Sequence, residues 1–165
     1  MVRASIRAVS RLALLGLFAL LPVRFPNSGA PAAQAPFLRG VTALHNFQYE
    51  DAVAAFREAQ GVDRDFAMAY WGEAMAYNQT LWLNQDADQA RQILLRLGPT
   101  PEARAVKART DREKGLVRAI ELLFGTGERA ARDRAYAGAM GRLAAAYPDD
   151  LEVLTFHALA MPTMR

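Results

Sequence analysis

Cysteine is absent from the 165 residues, which excludes disulfides, thiolate metal sites and a cysteine nucleophile. Serine occurs only as Ser5, Ser10 and Ser28, all inside the leader described below and none in a G-x-S-x-G turn. A serine hydrolase is therefore excluded for the rest of the chain. The two histidines, His45 and His157, are far apart and lack acidic neighbours at helical spacing, short of the three or four converging donors that a metal requires. His45 reads as a half-exposed residue at a helix end, His157 as a packed or terminal one. No glycine-rich phosphate loop occurs, because Gly125-Thr126-Gly127 lacks a following lysine. Isoleucine is nearly missing and valine and threonine are sparse, whereas alanine supplies a fifth of the residues. That balance starves a sheet and favours helix, so the expected class is all-α.

The formal charge of +3 is uneven. Arg3, Arg7, Arg11 and Arg24 are the only charges before residue 37, and the remainder sets sixteen cations against seventeen carboxylates, a net of −1. Without a cationic footprint after the leader, nucleic acid is not an expected partner. The leader has an Arg-bearing start, an apolar run from Leu12 to Leu21 and a stretch rich in small residues and proline ending Ala30-Pro31-Ala32-Ala33. This order is that of a secretory signal peptide, and the run is shorter than the roughly 18 to 20 residues needed to span a bilayer. The expected division is a signal peptide over 1–32 cut after Ala32, a linker over 33–36 and a helical domain over 37–165. An uncut leader, anchoring the domain to the inner membrane, is the alternative.

After Pro36 the apolar periodicity and turn residues predict helices over 37–46, 50–60, 66–79, 86–97, 102–109, 111–124, 130–146 and 151–160. Gly98-Pro99 closes the fourth, and Thr110-Asp111-Arg112-Glu113 is a capping box that divides 101–124 in two. The carboxylate pairs Glu50-Asp51, Asp86/Asp88 and Asp149-Asp150 fall at helix starts, where they complement the helix dipole. Capping explains them better than acid–base chemistry. The glycosylation-type triplet Asn78-Gln79-Thr80 sits at a helix end behind a bacterial type of leader and carries little weight.

The stretch GVTALHNFQYEDAVAAFREAQGVDRDF, followed one period of about 34 residues later by AMAYWGEAMAY, resembles the tetratricopeptide repeat. Gly40 then takes the small position of a first helix, and Tyr49, Ala52, Phe56 and Ala59 the alternating aromatic and small positions of its partner. Tyr70, Ala74 and Tyr77 repeat the first-helix pattern, with an insertion at TLWLNQ displacing the next partner helix. Pro36, Arg39 and Arg64 depart from the family's usual residues. The resemblance covers about 37–160 and is clear only in its first third; it is to exported bacterial tetratricopeptide proteins of unassigned role. It implies a right-handed α-solenoid of about three and a half hairpins, in which small residues allow close helix approach and rings fill the gaps. It also implies a concave groove lined by first helices, at Val41, Leu44, His45, Met68, Trp71, Met75 and Asn78.

Trp71 and Met75 stand where families that clasp a charged C-terminus use Lys and Asn, so the expected groove is apolar and suited to a hydrophobic segment or helix. The competing expectation is that both residues pack against a neighbouring hairpin. The array also stops after a single first helix, leaving Leu151, Leu154, Phe156 and Leu159 short of cover. The expected function is a non-catalytic protein–protein interaction scaffold, exported to the periplasm or beyond, with no cofactor and no metal. A membrane-tethered assembly factor and an accessory region of a longer protein or enzyme are the alternatives.

Overall fold

The computed structural model describes residues 23–161. The Arg-bearing and apolar parts of the expected leader, within 1–22, and the segment 162–165 lie outside the described residues. Among those described, the fold is all-α apart from one two-residue β ladder, and it contains eight α-helices. A 3-10 turn at Pro31–Ala33 leads into α1, Gln34–His45, with Pro36 in the first turn where a missing N–H costs nothing. Helix α2 is Tyr49–Val62 and α3 is Ala67–Met75. The expected helix over 66–79 stops early. Asn78–Gln79 forms β1, paired antiparallel with β2, Asn84–Gln85, and the Asn78 and Gln85 amides bond at 3.0 Å. The TLWLNQ insertion is thus the tip and return strand of a small hairpin.

Helix α4 is Ala87–Leu97, capped by the Asp86 carboxylate on the Gln89 N–H, and α5 is Pro101–Lys107, capped by Thr100. Helix α6, Asp111–Leu123, starts at the expected capping box: Thr110 Oγ accepts from the Glu113 N–H and the Glu113 carboxylate from the Thr110 N–H. Helix α7 is Arg129–Ala146, and α8, Leu151–Ala160, is capped by Asp150. Between α6 and α7 the chain turns through Gly127 at φ 95°, a conformation that favours glycine.

Consecutive helices pack on one another: α1 on α2, α2 on α3, α3 on α4, α6 on α7 and α7 on α8. Helix α3 also touches α1, α5 and α6, and every one of its residues is buried. A helix apolar on all sides belongs at the centre, and this one sits there. Its one carboxylate, Glu73, is fully buried but accepts from Gln60 Nε2 at 2.6 Å and Arg57 Nε at 2.7 Å, and from Arg96. A buried charge persists only with such partners; here they tie α2, α3 and α4 together.

Phe56 from α2 is fully buried against Gly40 of α1 and Gly72 of α3. A Cβ would lie 2.7 Å from the ring at Gly40 and 2.3 Å at Gly72. Ala52, Ala59, Tyr70 and Ala74 are buried as well, while Tyr49 and Tyr77 are half-buried. Small residues therefore bring these helices together around one ring. Phe25, within the expected leader, and Ala33, within the expected linker, are buried as well.

Candidate partner-binding surface

The residues expected to line an open groove are brought together, but inside the protein. Val41 and Met68 have no exposure, and Trp71, Leu44, Met75 and Asn78 are also buried. Two parts of the same chain cover them. Phe25 meets Phe37 edge-on at 5.2 Å and Trp71 at 5.4 Å; from the other end of the chain, Phe156 of α8 meets Trp71 edge-on at 4.8 Å. Tyr136 of α7 reaches the Met75 sulfur at 4.0 Å, and burial raises its phenol far above the ordinary range. The open-groove expectation fails because the helical array closes on itself. Of the α8 residues expected to lack cover, Phe156 is buried, Leu154 and Leu159 are half-buried, and Leu151 stays exposed.

His45, the last residue of α1, is half-buried and faces Glu152 of α8. The two approach to 3.0 Å without forming a hydrogen bond, and make an ion pair only when the imidazole carries its second proton. Asp150 is engaged twice: it caps α8 through the Val153 N–H at 3.0 Å and takes both Nε and Nη2 of Arg112. Burial alone would raise its carboxyl, but Arg112 and that N–H outweigh burial and hold it below the ordinary range. Arg104 and Glu121 pair through two bonds of 2.5 and 2.7 Å. Among the described residues no group of three or more His, Asp or Glu side chains is placed to hold a metal ion.

Among the described residues an apolar ring cluster stays at the surface. Phe47, in the α1–α2 turn, Tyr49, at the start of α2, and Trp82, at the hairpin tip, meet edge-on with centroids 5.9 to 6.5 Å apart. Trp82 is 60% exposed and the adjacent Leu83 66%. Phe47 and Leu83 are the two non-glycine residues with positive φ among those described, at 58° and 52°. Phe47 takes the left-handed position of a Schellman cap on α1, its N–H donating to the Leu44 carbonyl at 3.0 Å and the Gln48 N–H to the Ala43 carbonyl at 2.9 Å. Leu83 closes the 3-10 turn with its N–H on the Thr80 carbonyl at 3.2 Å. Each left-handed backbone costs about 1 kcal/mol. Arg129 of α7 steadies the tip by donating to the Leu83 carbonyl at 2.9 Å. Desolvation beside the cluster raises the Tyr49 phenol.

Beneath the rings lies a cavity of about 30 Å³ lined by Leu44, Tyr49, Met75, Asn78 and Tyr136, too small for a metabolite. Beside them an open depression of about 390 Å³ is bordered by Phe47, Tyr49, Glu50, Asp51 and Gln79. The sequence offered one signal for this surface: the Leu-Trp-Leu run at 81–83 lies between two Asn-Gln pairs, which placed apolar residues where a turn was forming. Compared with protein-family models, curated proteins and solved structures, the chain matches none.

Proposed function

We propose that the chain is a non-catalytic protein–protein interaction scaffold of tetratricopeptide type, exported across the inner membrane, that docks a partner through the Phe47–Tyr49–Trp82–Leu83 surface. The observation that carries this reading is the exposed ring cluster formed where the α1–α2 turn meets the hairpin tip. Large exposed aromatics in fixed positions provide contact area at little entropic cost, which is why rings dominate the energetics of interfaces. Glu50 and Asp51 stand exposed beside the rings. The partner segment is accordingly a peptide with an apolar side chain next to a basic one, the acid pair setting its orientation. The solenoid arrangement of the hairpins is part of the same proposal, supported by the placement of Gly40, Ala52 and Phe56 at one helix crossing.

A photo-crosslinking residue at Leu83, compared with one at Val106 on α5, tests the surface in the exporting cell. Val106 is 80% exposed and belongs to none of this cluster. A discrete adduct from position 83 and none from 106 is expected. Equal adducts from both positions, or none from either, would refute the assignment.

A further inference from the structure

Residues 23–30 run as an irregular strap over the helices, and nearly every position is tied down. The Phe25 ring lies in the core under the Arg112 guanidinium, 4.4 Å from ring centre to Cζ, and Arg112 Nη1 donates to the Pro26 carbonyl at 3.0 Å. Both the N–H and the hydroxyl of Ser28 donate to the buried Glu113 carboxylate, at 2.6 and 2.8 Å. Gln34 Nε2 donates to the Asn27 amide oxygen at 2.7 Å, and the Ala30 N–H to Asp63 at 2.9 Å. Gly29 lies so close to Phe66 that a Cβ would be 2.5 Å from its ring. The partners come from α1, α6 and the turn between α2 and α3.

After the apolar run the small-residue pairs lie in and just after the strap, so the sequence pattern by itself favours a cut that the strap's contacts oppose. Signal peptidases favour small residues two apart before the cut. In the apolar run Ala13, Gly16 and Ala19 are three apart; the first pairs two apart after it are Ser28/Ala30, followed by Pro31, and Ala30/Ala32. A cut after Ala32 would strip Phe25 from Phe37 and Trp71 and leave Arg112 and Glu113 without the partners that the strap supplies.

We propose that the strap belongs to the mature protein: its N-terminus lies at or before Arg24, and Ala32 is not a processing site. This rests on the export reading above. It makes the segment a permanent part of the domain, occupying in cis the face that first helices would otherwise offer to a peptide.

The test is the N-terminal sequence and intact mass of the full chain after expression in an exporting bacterium. A start anywhere from Met1 to Arg24 is expected, and a folded product starting at Ala33 would overturn the proposal. Ala32→Gln, at an exposed position, should leave the N-terminus unchanged; a changed terminus would also overturn it. In the full chain Phe25→Ala should lower Tm by on the order of 10 °C and Ser28→Ala by a few degrees. If neither shifts Tm, the strap is not part of the fold. Protease accessibility in spheroplasts reads export separately. A chain that stays inside counts against the functional reading, whereas an exported product starting at Ala33 counts against this one alone.

Discussion

Adding one methyl group at Gly72 sets two effects of opposite sign against each other. Helix propensity alone makes Gly72→Ala stabilising by about 1 kcal/mol, because Gly72 lies inside α3. The structure reverses that expectation. The new Cβ would stand 2.3 Å from Cζ and 2.4 Å from Cε1 of Phe56, whereas carbon atoms in contact settle about 3.5–4.0 Å apart. The ring would have to withdraw by about 1 Å. It is fully buried, the same edge lies so close to Gly40 that a Cβ there would stand 2.7 Å from it, and Phe37 lies beside it at 5.7 Å. Overpacking of this kind costs roughly 1–3 kcal/mol, and the lack of free space puts this site at the upper end. After the propensity gain, a net loss of about 1–2 kcal/mol remains, or a fall in Tm of roughly 5 °C. Urea unfolding followed by far-ultraviolet circular dichroism measures it. In a Phe56→Leu background the clash disappears, and Gly72→Ala should then stabilise, a coupling that the double-mutant cycle reports directly. A Gly72→Ala protein at least as stable as its parent would refute the proposed role of the ring.

Two further outcomes follow from the charge network and the strained tip. Asp150 has a carboxyl held below its ordinary range, so its pairing stabilises the fold fully above the unfolded pKa of about 4 and is lost as pH falls through the lower folded value. Asp150→Asn keeps a cap but loses the Arg112 pair; it should cost about 2 kcal/mol at pH 7, less than for a fully buried pair because the carboxylate retains 13% exposure. The gap from the parent should narrow below pH 4 in denaturant titrations, and a gap independent of pH would contradict the assignment. Leu83→Gly removes an exposed side chain at φ 52° and should leave stability unchanged or raise it by up to about 1 kcal/mol, read as Tm. If the tip docks the partner, the same substitution should reduce by several-fold the partner adduct formed from a crosslinker at Trp82.

Much of the helical framework was legible in the sequence, because its signals are local. Thr110 and Glu113, three residues apart, close a capping box whatever lies around them, and Asp86, Thr100 and Asp150 cap their helices for the same reason. The nesting of Phe56 against Gly40 was also readable, since a hairpin with a short turn brings partners close in sequence into contact. The small hairpin at 78–85 was not, because a two-residue ladder closed by amide pairs leaves no periodic trace.

What only the tertiary structure decided is which apolar face stays open. The stripe from Val41 to Met75 reads the same in sequence whether water, a partner or the chain itself covers it. Phe25 and Phe156, from opposite ends of the described chain, bury it, while Phe47 and Trp82 are left outside. Contacts between residues so distant in sequence depend on how every intervening helix stacks, and no local pattern encodes that sum.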